Sequence, residues 1–266
     1  MAERQFKLAA VGDNCIDLYD QTGAAYPGGN PVNVAVYTVR LGGQASYTGV
    51  VGNDQYGVLM RDAIAGKGVD VSHLHTLPGA TAISHVSIVE GDRVFGDYEE
   101  GVMAEFKLTA EDKDFLAGHD LLVTGLWGMI EADLPELKER GLPIAFDFAD
   151  KTDHPILDQA MPYVDYAFFS RDGESDEALE EFLRSVVSRG PKIAVVTRGE
   201  HGSMAYDGEH FYKQGIVNCP VEDTMGAGDS FIAGFLFALM EGRPIPACME
   251  HGAWNSSVTL GYKGAW

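Results

Sequence analysis

The residues best suited to do chemistry are Gly226, Ala227, Gly228 and Asp229. They lie in the run Asp223-Thr224-Met225-Gly226-Ala227-Gly228-Asp229-Ser230, which leads straight into the apolar stretch 231–239. Two glycines let a backbone approach a ligand with no side chain in the way, and the first amides of a helix point outward at its positive end. Such a loop collects anions, phosphate above all. Asp229 is out of place in a plain phosphate nest, because its carboxylate repels the anion that the amides attract. A carboxylate beside an anion hole is better suited to take a proton from a hydroxyl. The combination suits phosphoryl transfer to an alcohol, with Asp229 as base and the amides of Gly226, Ala227 and Gly228 neutralising charge on the moving group.

Other readings of the same residues fail at single positions. The loop lacks the Lys-Ser/Thr ending of a P-loop, and Phe231 stands where a dinucleotide fingerprint needs its third glycine. Ile232 replaces the last glycine of a nucleophile elbow. The eight histidines show no HExxH or other metal-ligand spacing and read as surface or structural residues.

The pattern of the whole chain predicts the frame that must hold this loop. Residues 6–11 form an apolar run ended by Gly12-Asp13-Asn14, as expected of a central strand opening into a ligand-facing loop. Gly28-Gly29-Asn30-Pro31-Val32-Asn33 precedes a helical stretch 34–41 that stops at Gly42-Gly43. Asn30 and Asn33 would share its first turn, within reach of sugar hydroxyls, unless Asn30 only caps the helix. A strand at 45–51, a helix from Asp54 to Lys67, a helix from Thr109, and strands at 121–124, 143–148, 166–169 and 192–197 repeat the alternation, with helices at 133–140 and 176–189. A hairpin (203–206 with 210–212) and a helix at 245–260 complete it. That order predicts a mostly parallel sheet with helices on both faces. Residues 81–89 and 92–98, joined by Glu90-Gly91, read as a hairpin; with the irregular β segment at 16–26 they predict a small sheet able to cover a site and exclude water.

Composition sets outer limits. Forty acidic residues against nineteen basic ones give a formal net charge of -21, which argues against nucleic acid or an anionic membrane as partner, since phosphate backbones demand clustered Lys and Arg. Cys15, Cys219 and Cys248 are odd in number and lack CxxC spacing, as expected of reduced thiols. No signal-peptide pattern opens the sequence and no apolar run nears the ~20 residues of a membrane span, so the expectation is a soluble, cytoplasmic protein.

The run from Asp223 to Asp229 closely resembles the C-terminal signature of the ribokinase-like, or PfkB, carbohydrate kinases, and Gly28-Gly29-Asn30-x-x-Asn33 resembles their N-terminal sugar motif. The resemblance covers essentially the whole chain. It implies a single three-layer αβα sandwich with a β-sheet lid, formed here by about 14–27 and 80–101, and ATP-dependent transfer to a primary sugar hydroxyl. By position it implies sugar contacts at Asp13, Gly28, Gly29, Asn30 and Asn33, and a nucleotide-side turn at Thr197, Gly199 and Gly202. Asn255 matches a place on the adenine pocket wall, and Asp223 matches a position that helps hold a monovalent cation, K+, in some relatives.

The family pattern is not matched everywhere. An Asn-x-x-Glu motif that organises Mg2+ through water is replaced by Ser170 and Gly173, with Glu174 one residue late. Asp147-Phe148-Ala149-Asp150-Lys151 resembles an Asp-x-Asn-x-Arg pattern in which Lys151 offers a point charge to phosphate instead of a bidentate fork. The stretches 12–17, 92–103, 223–235 and 264–266 are most similar to the branch of the family acting on fructoselysine, which implies its C6 hydroxyl as acceptor. The lid charges fit a sugar-amine: acidic residues for the amines and Arg93 for the carboxylate. Fructose, another sugar or a nucleoside is the alternative acceptor, a non-catalytic sensor on a kinase scaffold is the alternative of another kind, and pairing through the lid would give a homodimer.

Overall fold

The computed structural model describes residues 6–89 and 92–266, with backbone alone for 88, 89 and 92–95. The chain opens with β1 (Lys7–Val11), β2 (Cys15–Tyr19), β3 (Ala24–Gly28), α1 (Asn30–Arg40), β4 (Gln44–Gly52) and α2 (Gln55–Gly66). There follow β5 (Leu74–Leu77), β6 (Ile83–Val89), β7 (Asp92–Glu99), α3 (Ala110–Leu116), β8 (Leu121–Gly125), α4 (Leu134–Glu139) and β9 (Ile144–Asp147). The remainder is α5 (Ile156–Ala160), β10 (Tyr166–Ser170), α6 (Asp176–Val187), β11 (Ile193–Thr197), β12 (Ser203–Tyr206), β13 (Phe211–Gln214), α7 (Ala227–Met240) and α8 (Ile245–Thr259).

Nine strands form one sheet in the order β13-β12-β11-β10-β9-β8-β1-β4-β5. All its pairs are parallel except β11 with β12 and β12 with β13. The period-2 alternation of a strand divides the core. Leu8 and Ala10 of β1 face a cluster with Val34 and Val36 of α1, Phe235 of α7 and Met249 of α8, whereas Ala9 and Val11 face Leu116 of α3, Leu137 of α4 and Leu183 of α6. This is the expected three-layer sandwich. Its consequence for function is that β1, β8 and β9 lie side by side at the centre, with their C-terminal ends beside the start of α1.

The small sheet runs β3-β2-β6-β7. Strands β6 and β7 pair antiparallel as expected, and β2 joins β6 in parallel. The expected turn at Glu90-Gly91 and the side chain of Arg93 lie outside the described residues. Two elements were not legible beforehand: β5, a four-residue edge strand carrying His and Thr, and α5, only five residues long. Cys15, Cys219 and Cys248 are free thiols. Among the described residues no helix is long and apolar enough to cross a membrane.

Candidate active site

The site begins where α1 begins. Gly29 caps the helix at φ 114°, and a Cβ there would stand 2.7 Å from Asn14 Cα and 2.8 Å from Asp13 O, so only glycine lets the helix start this close to the β1 loop. The cap is therefore Gly29, and Asn30 is released for other contacts. Its Nδ2 donates to Asp229 Oδ1 at 2.6 Å and to Asp147 Oδ2 at 2.7 Å, while Asn33 Nδ2 donates to Asp229 Oδ2 at 2.7 Å. Each oxygen of Asp229 thus receives one amide from the first turn of α1. Gly28 leaves space for another acid: a Cβ on it would meet Asp17 Oδ2 at 2.8 Å.

The start of α7 is fixed from the opposite side. Gly226 holds a left-handed φ of 72°, and an added Cβ would lie 2.3 Å from Tyr37 Oη. That hydroxyl donates to Ala265 O, and Trp266 Nε1 donates to Asn33 Oδ1 at 2.7 Å. Asp223 accepts from Met225 N at 2.9 Å and from Gly264 N at 2.7 Å, so it secures the loop to the tail. The expected anion hole needs one correction. Ala227 N donates to Thr224 O at 3.2 Å, a turn bond that withdraws this amide, and the helix's free first-turn donors begin at Gly228.

Four carboxylates gather in this region: Asp13, Asp17, Asp147 and Asp229. Burial lifts Asp13 to about 7, opposed by the Asn30 backbone N–H and reinforced by the charges of Asp229 and Asp17. Burial and then the neighbouring Asp229 lift Asp147 to about 7. Asp229 is raised by burial only to about 6, because the Asn33 and Asn30 amides favour its charged form. Asp229 is thus lifted less than Asp13 and Asp147, with a side-chain amide on each of its oxygens. That is the property a general base needs near neutral pH.

A cavity of about 410 Å³ adjoins the start of α7. It is lined by Thr197, Gly199 and Gly202, by Thr224, Ala227, Gly228 and Phe231, and by Ala253 and Ser256 of α8 with Leu260 just after it. Ser203 also lines it, with its Oγ buried and unpartnered. Small, mostly apolar walls fit a flat heteroaromatic ring, and Gly228 lines the same space.

Three expected residues are engaged by protein partners. Asn255 turns inward, donating to Ser230 O at 2.7 Å and accepting from Arg40 Nη2 at 2.6 Å, so its neighbours Ala253 and Ser256 form the wall instead. Lys151 pairs with Asp150 at 2.8 Å. Glu174 pairs with Arg171 Nε at 2.6 Å. Sequence reasoning passed over Asp147 as a site residue, although a carboxylate closing a central parallel strand was the available signal. It also gave Tyr37 no part, and no local pattern marks a helix residue that braces a loop nearly two hundred positions away.

The model of the pfkB family carbohydrate kinases matches residues 5–266. Fructoselysine 6-kinase of Escherichia coli strain K12 is 46% identical over 259 residues, covering 97% of this chain and 99% of the relative. Fructosamine kinase FrlD of Bacillus subtilis strain 168 is 38% identical over 264 residues, covering 97% and 92%. Among solved structures, Arabidopsis thaliana ribokinase complexed with ribose and ATP shares the fold at a TM-score of 0.90 and 21% identity, over 98% of this chain and 94% of that one. A family match along nearly the full length, joined to both signature motifs meeting at Asp229, leads to one conclusion: the chain belongs to the pfkB family of carbohydrate kinases.

Proposed function

We propose that this kinase transfers the γ-phosphoryl group of ATP to the C6 hydroxyl of fructoselysine, with Asp229 as general base. The observation that carries the reading is the double grip of Asn30 and Asn33 on Asp229, at the seam between the polar pocket and the cavity. The adenine ring and ribose fill that cavity, and the phosphates run toward Gly226 and Gly228. The sugar lies against Asp13, Gly28, Gly29 and the first turn of α1, beneath the small sheet acting as lid. In the transfer, the C6 oxygen attacks the γ-phosphorus as its proton passes to a carboxylate oxygen of Asp229, and the bond to the β-phosphate oxygen breaks to release ADP. Asn30 and Asn33 hold that oxygen in line, and loop amides take up charge on the phosphoryl oxygens.

Mg2+ accompanies the nucleotide because of its charge, supplying further neutralisation at the phosphates. The protein side does not match the expected support: Glu174 is engaged by Arg171 and does not line the cavity, so no step is assigned to the ion. K+ would act through Asp223 and the loop it secures, and replacing KCl by choline chloride tests that role: unchanged kcat rejects it.

The acceptor assignment is supported by the 46% identity to a fructoselysine 6-kinase and by the carboxylates Asp13 and Asp17 buried beside the start of α1. Fructoselysine carries a secondary ammonium, and its binding would favour the charged forms of Asp13 and Asp147, both lifted to about 7 without it. Comparing kcat/KM for fructoselysine, fructose and ribose, with the phosphorylated carbon located by NMR, is the deciding experiment. Fructose turned over as efficiently as fructoselysine would reject the acceptor. Asp229→Asn should lower kcat by about 10²- to 10⁴-fold while ATP still binds; near-normal turnover would reject the base.

A further inference from the structure

A second group of chemistry-bearing side chains lies on elements that take no part in the kinase site. His73, His75 and Asp112 bring three ligand-type atoms within 4.8 Å of one another. His75 lies on β5 and His73 in the turn that leads into it, and both imidazoles meet the same carboxylate. Asp112 stands opposite on α3, its side chain fully buried. Its Oδ1 is 2.7 Å from His73 Nδ1 and 2.8 Å from His75 Nε2.

We propose that His73 Nδ1, His75 Nε2 and Asp112 Oδ1 form a three-ligand site for a divalent transition metal, with Zn2+ the best match. Two imidazoles and one carboxylate are a donor set suited to Zn2+; Mg2+ and Ca2+ prefer all-oxygen shells. The groups behind the ligands are already in place. Asp112 Oδ2 accepts from Thr109 N at 2.9 Å and Thr109 Oγ1 at 2.7 Å, which aims Oδ1 at the histidines. The His73 ring is stacked on Phe115, centroids 3.8 Å apart at 13°, which fixes its plane. Without a metal, both rings direct an N–H at the same oxygen. On binding, each neutral ring carries its proton on the other nitrogen, and two lone pairs face the ion.

Donor atoms around tetrahedral Zn2+ sit roughly 3.3 Å apart, given bonds of about 2.0–2.1 Å. The two distances from Asp112 Oδ1 to the ring nitrogens, 2.7 and 2.8 Å, must therefore lengthen by about half an ångström. His75 can provide this, since its side chain is 41% exposed, and the same exposure leaves a path for entry and a fourth position for water. The ion would clasp β5, the unpaired edge of the large sheet, to α3.

The test uses the full chain, stripped with a chelator, and two probes: ZnCl2 by calorimetry and CoCl2 by visible absorption. The expected result is one equivalent bound with micromolar or tighter affinity, an intense four-coordinate Co2+ spectrum, and a higher melting temperature with Zn2+. His73→Gln/His75→Gln, which leaves the Thr109–Asp112 cap intact, should weaken binding at least ten-fold. Cys219→Ser should leave it unchanged, separating this site from a half-exposed thiol. No saturable binding to the wild type, or equal affinity in the double-histidine variant, would overturn the proposal and leave the cluster a hydrogen-bonded strut.

Discussion

Asn33 offers a direct way to ask whether hydrogen bonding sets the acidity of the base. Asn33→Ala removes the Nδ2 donor 2.7 Å from Asp229 Oδ2 and leaves the Asn30 donor at 2.6 Å on Oδ1. A hydrogen bond to a charged group contributes about 1.5–3 kcal/mol. At 1.36 kcal/mol per pKa unit that is roughly one to two units, with entering water pulling the effect toward one. The donor favours the carboxylate, so its loss favours the acid, and Asp229 moves up from about 6 toward about 7. At about pH 6 the wild-type base is then half ionised and the variant about one-tenth, a five-fold deficit that disappears above about pH 9. Because Asp13 and Asp147, both lifted to about 7, feel the charge of Asp229, the acid limb belongs to the group and not to one residue. An ADP-release assay of kcat/KM against pH reads the shift. Trp266→Phe is the control, since it frees Asn33 Oδ1 but leaves the amide beside Asp229. A variant slower by one constant factor at every pH, or with its acid limb moved downward, would refute the reasoning.

Other consequences can be checked by melting and kinetics. Asp13 titrates at about 7 in the fold against 3.8 unperturbed, so the folded state holds a proton that the unfolded chain releases, and stability declines as pH rises from about 4 through 7. Asp13→Asn escapes this: it should melt several degrees above wild type near pH 8, from a gain of up to about 4 kcal/mol, and match it near pH 4; an equal difference at both pH values would reject the burial argument. Gly228→Ala meets no atom within 4 Å and sits in the first turn of α7, so it should stabilise the helix by about 0.5–1 kcal/mol, yet raise KM for ATP about ten-fold by filling the space before the loop amides; unaltered KM would remove Gly228 from the phosphate path. Gly226→Ala should do the reverse to stability, since a left-handed φ costs about 1–2 kcal/mol and its Cβ would lie 2.3 Å from Tyr37 Oη; a melting temperature at or above wild type would refute it.

The parts of this molecule that were readable from the sequence are those whose physics is local. The glycine turn before α7, Pro31 in the first turn of α1 and the Thr109 cap of α3 are each decided within a few residues. The apolar runs β1, β4 and β8 could only be buried strands. The side of a helix that Asn255 faces was not readable, because Arg40, more than two hundred residues earlier, determines it. The pairing of Glu174 with Arg171 had a local spacing, yet a family pattern pointed past it. His73 and His75 carried no recognisable metal spacing on their own. Their third partner arrives on α3, across a fold that no short motif encodes.

The amide of Asn30 reaches a carboxylate 117 positions away and another 199 positions away. A contact network of such span forms only after the intervening loops have closed, and that closure makes folding slow. Helix α1 can form early, but the base has no fixed orientation until β9 has joined the sheet and α7 has docked. In a refolding experiment, catalysis should therefore recover with the last phase of the reaction, trailing the return of helical signal. Activity in this kinase counts fully native molecules and none of their partly folded precursors.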